Sequence, residues 1–232
     1  MRKERKNCML REEKSFLSWS GGKDSALALN RIKNDENYRL VAFLTSLTED
    51  YNRINMHGIR QVLLERQVES LGLPLESVYI SKNSSNEEYE SKMRSVLNKF
   101  IKNGVTSVVF GDVYLEDVRK YREENLSRIG MKAVFPLWGS DTSDLATEFI
   151  DLAFKAIITC IDSKFLDKKL VGREFDKAFL SELPTNIDPC GEKGEFHSFV
   201  YAGPIFKKEI SFKKGRIVRR NNRFFFCDLI PT

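Results

Sequence analysis

The chain is poor in the residues that build disulfide frameworks and resident metal centres. It has four cysteines and two histidines in 232 residues. The cysteines, Cys8, Cys160, Cys190 and Cys227, are scattered, and none forms a C-x-x-C pair. That spacing speaks against a disulfide scaffold and a structural zinc site, and it fits a reducing compartment, so a cytoplasmic protein is expected. Apolar runs of membrane-spanning length are also missing. The first residues, Met-Arg-Lys-Glu-Arg-Lys, are charged and lead into no signal core. Charge of one sign is missing too: 38 Lys and Arg against 33 Asp and Glu leave +5. No strong basic tract or RNA-binding addition stands out, which argues against nucleic acid as the partner. There is no internal repeat and no low-complexity linker.

What is present begins with Ser20-Gly21-Gly22-Lys23-Asp24-Ser25. The apolar stretch Ser15 to Trp19 precedes this string and reads as a buried strand. Ala26 to Leu29 and Ile32 follow it and read as a helix. A glycine-rich turn that joins a strand to a helix N-terminus is an anion site, because free N–H groups and the positive end of the helix dipole converge there. The glycines allow close backbone approach, and Lys23 is expected to add a mobile positive charge. The string is not the common P-loop, whose Gly-Lys is followed by Ser or Thr; here Asp24 follows.

Strand and helix patterns then alternate. Strands are expected at Leu40–Leu44, Ser77–Ser81 and Val105–Phe110, and near Ala133–Phe135. Helices are expected over 57–71, 87–103 and 115–129. The βαβα order predicts a parallel twisted sheet with helices on both faces. Three parts are expected: a charged tail over 1–14, a nucleotide-binding domain over 15–140, and a smaller α+β part over 141–232. The last would hold helices near 143–156 and 173–182 and a strand at Ile157–Ile161. Antiparallel strands would follow, turning at Lys214-Gly215 and Asn221-Asn222. At the carboxyl edge of such a sheet lie the glycine loop, the connection from Thr45-Ser46 to Met56-His57-Gly58, and Gly111-Asp112. Asp112 reads equally as a Mg²⁺ or substrate ligand and as a helix cap. The helix after it carries Glu116, Arg119 and Arg122, which by composition read as a solvated face with an Arg119–Glu123 pair. The stretch Asp188 to Tyr201 gathers Cys190, Glu192, Glu195 and His197. Taken alone, it reads as a turn leading into a strand.

The glycine string resembles the pyrophosphate loop of the PP-loop ATP pyrophosphatases. Gly111-Asp112, Leu115-Glu116-Asp117, Arg119 to Glu123, Phe135-Pro136-Leu137-Trp138, Gly203-Pro204 and the segment Asp188-Pro189-Cys190-Gly191-Glu192…Gly194-Glu195-Phe196-His197 follow it in order. Together these resemble the diphthine–ammonia ligase family from about Ser15 to Phe206. Lys193 and Ala202 depart from the family's usual Asn and Asp. The resemblance implies a PP-loop, Rossmann-like fold and an AMP-forming carbon–nitrogen ligase. That enzyme would adenylate a carboxylate, release pyrophosphate and transfer ammonia. It implies ATP, held by Ser20, Gly21, Gly22, Lys23, Asp24, Ser25 and Ser46, and Mg²⁺ with Asp112 as a ligand. Catalytic roles fall to Lys23, Asp112, Glu195 and His197, with Glu195 or His197 handling ammonia. Gly111, Glu116, Arg119, Arg122 and Glu192 fall to the acceptor, a carboxylate on a small molecule or a modified protein side chain. A homodimer is compatible with the sequence. A tRNA-modifying relative and a non-enzymatic adenine-nucleotide sensor are the rival readings.

Overall fold

A computed structural model describes residues 12–49, 53–54, 58–81 and 84–232. Most of the expected charged tail, Cys8, and Met56 and His57 of the connection after the second strand lie outside the described residues.

Alternation of large apolar side chains sets the first sheet. In β1 (Glu13–Ser18), Phe16 and Leu17 are both fully buried but enter different cores. Successive strand residues point to opposite faces, so both faces must be covered. The covers come from the connections. α1 (Lys23–Lys33) leads to β2 (Tyr38–Thr48), and α2 (Gln61–Leu71) leads to β4 (Leu75–Ile80). The two-residue β3 (Arg53–Ile54) adds antiparallel to the end of β2. α3 (Asn86–Ile101), β5 (Val105–Val109), α4 (Glu116–Ser127) and β6 (Lys132–Val134) complete this half. Five parallel strands run in the order β4-β2-β1-β5-β6. α1 and α2 pack on one face, and α3 and α4 on the other.

Helix ends follow local chemistry. Ser85 caps α3 by accepting the Glu88 N–H, and Glu87 and Glu88 sit at the positive end of its dipole. α2 stops at Gly72, which is in the left-handed region and donates to the Val68 carbonyl. It starts at Gln61 rather than near residue 57, because Arg60 is extended.

After α5 (Thr142–Asp151) the chain forms a second sheet from β7 (Lys155–Asp162), β8 (Phe196–Ala202), β9 (Phe212–Arg220) and β10 (Phe224–Pro231). A single-turn 3-10 helix (Lys168–Leu170) and α6 (Lys177–Glu182) lie between β7 and β8. This sheet is antiparallel throughout, in the order β8-β7-β10-β9. One apolar core runs without a break from α1 and α2 through Phe149, Phe179 and Phe199 to Leu229.

The two expected hairpin turns separate here. Asn221 and Asn222 make the β9–β10 turn, with φ of 49° and 50°. A two-residue turn that matches strand twist needs φ above zero at both positions. Lys214-Gly215 is no turn. Gly215 lies inside β9, opposite a register shift between Cys227 and Leu229, and a side chain there would press on Ile230. Residues Glu209 to Ser211 are irregular, since β9 begins at Phe212.

Candidate active site

β1 pairs with β2 on one side and with β5 on the other, and the crossovers to these neighbours run in opposite directions. Ligands in open α/β sheets bind outside the carboxyl ends of the strands at this reversal. Two segments meet there: the loop Trp19 to Gly22, which enters α1, and Gly111-Asp112, which leaves β5.

The loop is held by ties from three directions. Gly21 has φ of 77°, and a Cβ on it would lie 2.8 Å from Gln67 Oε1. Gln67, fully buried on α2, donates to the carbonyls of Gly21 at 3.1 Å and Val200 at 2.5 Å, and accepts from the Trp19 indole at 3.0 Å. The Val200 N–H donates to Gly21 O at 2.9 Å, and the Lys23 N–H donates to Ser198 Oγ at 3.2 Å. Ser25 Oγ donates to Gly22 O at 2.8 Å and accepts from Ser20 Oγ at 3.2 Å. Gly22, the residue before α1, has no side chain to cap the helix. Gly111 packs edge-on against the first turn of α1, where a Cβ would lie 2.8 Å from the Asp24 carbonyl carbon. Only glycine fits this approach of two backbones.

Lys23 is not a mobile charge in this structure. It is 2% exposed, and its Nζ lies 2.6 Å from Asp24 Oδ1, near the rings of Phe175 and Phe196. Burial pulls its pKa down. The Asp24 carboxylate, with Cys190 and Glu192, outweighs burial and holds the ammonium well above its ordinary range. The same surroundings push Cys190 up to about 12, mainly by burial. Its thiol donates to Thr142 O at 3.3 Å, and no thiolate is available for attack.

The segment 188–196 closes over this corner. Glu192 Oε1 accepts the Val113 N–H at 2.8 Å, which binds the late loop to the residues after β5. Burial raises the Glu192 pKa to about 7 against the effect of that bond, with Asp24 and Asp112 raising it further and Lys23 opposing. Asp188 accepts from the N–H groups of Cys190 at 2.8 Å and Glu192 at 3.3 Å, and from the Tyr114 hydroxyl at 3.3 Å. Glu195, 3% exposed, accepts from Asp188 N–H at 3.4 Å and Lys193 N–H at 3.0 Å. Glu195 therefore shapes its own loop. His197 is on β8 beside Ser198, and alternation along the strand sends its side chain to the face opposite the one that meets Lys23.

On the other side of the corner, Arg122 pairs with Asp112 at 2.7 Å and stacks on Phe110 at 4.1 Å. Arg119 pairs with Glu123 at 2.7 Å and covers Trp138 at 4.6 Å. Glu116 is exposed at the start of α4. Ser46 and Arg122 line one cleft together with Ser18, Leu44, Tyr89 and Tyr121, between the strand ends and α3 and α4. The structure thus brings Lys23, Asp24, Gly111, Asp112, Arg122 and Glu192 into one corner, and it leaves His197 and Glu116 apart from it. Sequence reasoning missed Gln67 and Ser198, which position the loop. The signal for Gln67 is a long polar side chain on the apolar face of α2, among Leu63, Leu64 and Val68.

Among the described residues no group of three or more His, Cys, Asp and Glu is placed to hold a metal ion. No helix there is long and apolar enough to cross a membrane.

Comparison with known proteins gives the family. A family model for the diphthamide synthase N-terminal domain matches residues 13–133, and one for the diphthamide synthase C-terminal domain matches 141–228. A diphthine–ammonia ligase of Schizosaccharomyces pombe is 24% identical over 222 residues, covering 88% of this chain and 36% of that protein. A diphthine–ammonia ligase of Bos taurus is 32% identical over 110 residues, 45% of this chain and 41% of that protein. A diphthine–ammonia ligase of Rattus norvegicus is 26% identical over 215 residues, 82% of this chain and 79% of that protein. The matches therefore span well under half of the fission-yeast and bovine proteins and most of the rat one.

Proposed function

The chain belongs to the diphthamide synthase family, and from that premise we propose that it is an AMP-forming carbon–nitrogen ligase. It would adenylate an acceptor carboxylate and pass ammonia to the activated carbon. The observation that carries this reading is the corner at the β1–β5 reversal. A helix N-terminus whose preceding Gly22 offers no side-chain cap and an immobilised glycine loop sit there beside a half-buried carboxylate and a paired arginine.

In this proposal ATP lies along the carboxyl edge. Its phosphates meet the N–H groups at the start of α1, and its adenosine lies toward Leu44–Ser46 in the cleft. The buried Lys23 ammonium places a fixed positive charge beneath that loop, so stabilisation of the departing pyrophosphate needs little reorganisation. A resident metal centre does not fit the donors present, but a phosphate-borne Mg²⁺ does, since Mg²⁺ is commonly held by one or two carboxylates plus substrate phosphates. Asp112 would hold it once Arg122 lets go, and the ion would neutralise phosphate charge. Arg122 or Arg119 then suits the anionic acceptor group, because a guanidinium matches a carboxylate in shape and charge.

The second step needs neutral ammonia. Glu195 has given both oxygens to backbone amides, and His197 is turned away. Proton handling therefore falls to Glu192, whose pKa near neutrality suits it to take a proton from ammonium. Ammonia then adds to the acyl carbonyl and AMP leaves.

The test is turnover with ATP, ammonium and candidate carboxylates, with nucleotides separated by chromatography. AMP and pyrophosphate formed only when acceptor and ammonium are both present is the expected result. ADP as the main product removes the chain from AMP-forming chemistry.

A further inference from the structure

The charge of this chain is unevenly placed. Residues 207–223 hold eight Lys and Arg and one acid, so this segment carries +7 while the whole chain carries +5. Apolar residues interrupt the cations, so no basic run shows in the sequence, but the β9–β10 hairpin gathers them. Lys213, Lys214, Arg216, Arg219 and Arg220 are all exposed along β9.

Among the described residues β9 is an edge strand that pairs with β10 alone. Its outer row of backbone groups is a template for another strand, and Ile217, Val218 and Ile230 are exposed beside the cations. The hairpin is anchored near the carboxyl edge of the first sheet. Asp228 of β10 pairs with Arg60, just before α2, at 2.6 Å, and a Cβ at Gly58 would lie 2.7 Å from the Phe226 ring. Lysines on an edge strand also discourage self-association, but a few suffice for that, and here the basic positions occur on both faces of the ribbon.

We propose that the open edge of β9 is a docking surface for an acidic, extended protein segment that adds to the sheet as a further strand. Main-chain hydrogen bonds would supply affinity, and alternating Lys and Arg would select acidic side chains. A single-stranded nucleic acid fits less well, because it needs open aromatic faces for its bases. The faces of Phe224, Phe225 and Phe226 are already covered by Arg223, Arg220 and Arg219, at 4.9 Å (Arg223 on Phe224), 5.5 Å (Arg219 on Phe225) and 5.2 Å (Arg220 on Phe226). The exposed aliphatic side chains also have a partner in a peptide and none in a phosphate backbone. The inference is independent of the ligase reading, since docking is measured without turnover.

The experiment is fluorescence anisotropy of the full chain at physiological salt with two labelled probes, an alternating Glu-Val dodecapeptide and a single-stranded oligouridylate. The triple variant Lys213→Glu, Lys214→Glu, Arg216→Glu is compared with a control reversal at the exposed pair Lys168→Glu, Lys169→Glu, after circular dichroism has shown each to be folded. Saturable peptide binding is expected, weakened by about tenfold or more in the triple variant, as removing close charge pairs does, and little changed in the control. If the triple variant does not fold, Lys213→Gln with Lys214→Gln replaces it, and a weaker loss in the same direction is expected. Absent peptide binding, tighter binding of the oligouridylate, or equal loss in the control each overturns the proposal.

Discussion

Two loops meet at the candidate site, and they are built in opposite ways. The loop from Trp19 to Gly22 has few ties of its own, through Ser20 and Ser25. Gln67, Ser198 and Val200, all distant in sequence, hold it from outside. The loop from Asp188 to Phe196 is tied largely within itself: Asp188 and Glu195 accept from amides inside the same segment, Asp188 also takes the Tyr114 hydroxyl and the Cys190 thiol donates to Thr142, while the Glu192 carboxylate reaches out to Val113. The first is a cradle kept open by its neighbours, and the second is a knot with one free arm. Substitutions should therefore act on ligand binding in the first loop and on local stability in the second, with Glu192 as the exception.

The largest effect is expected where the cradle meets β5. Gly111→Val would place side-chain atoms against the Asp24 backbone, which cannot move without shifting the first turn of α1. Overpacking of this kind costs about 1–3 kcal/mol or more. AMP formation should fall to background while the protein still folds at low temperature, and a normal turnover rate would show that the two backbones part easily. Lys23→Met comes next. It removes a buried ammonium and leaves Asp24, which is partly exposed and can rehydrate. Calorimetry should show triphosphate affinity reduced by about tenfold or more, in keeping with the loss of one positive charge from a low-dielectric setting beneath the loop, and adenosine affinity nearly unchanged. Equal loss of both would make the loop merely structural.

The free arm gives a pH signature. With a pKa near 7, Glu192 is neutral in acid and charged above neutrality. If it takes the proton from ammonium, turnover should rise with pH from about 6 to 8 and then level, and Glu192→Gln should remove the rise. The stability effect runs the other way. A carboxyl raised above its unfolded value of 4.5 favours the fold below that value, and the benefit is lost as pH rises through 7. Thermal melts of the wild type against Glu192→Gln should therefore diverge with increasing pH, with Gln the more stable at pH 8.

The cradle was legible in the sequence and the knot was not. Ser20 to Ser25 announces itself because glycine freedom and the helix N-terminus are local properties, and the parallel sheet follows from strand–helix alternation. The roles of Glu195 and His197 depend on where backbone amides lie and which face of β8 is inward, and residue identity does not show either. Gln67 and Ser198 act across the fold, on partners in other elements, so spacing along the chain could not find them. The basic hairpin escaped for a related reason: Ile210, Phe212, Ile217 and Val218 separate its charges along the chain, and only the pairing of β9 with β10 collects them.

Glu195→Gln is expected to have the smallest effect. The resemblance to an amidating family suggested this carboxylate as a base, which would make the substitution abolish turnover and spare stability. The structure supports the reverse. Both oxygens accept backbone N–H groups in a 3% exposed setting, at 3.0 and 3.4 Å, so the side chain satisfies donors that would otherwise be buried alone. The amide of Gln keeps one accepting oxygen and turns an NH₂ toward an N–H, losing roughly one charge-assisted bond, about 1–3 kcal/mol. For a chain of this length that corresponds to a fall in Tm of about 2–12 °C, taking about 2–4 °C for each kcal/mol. Turnover at a temperature well below the melt should be within a few-fold of wild type. A variant that melts like wild type but makes no amide would restore Glu195 as the base and would leave the free arm of Glu192 as a tether only.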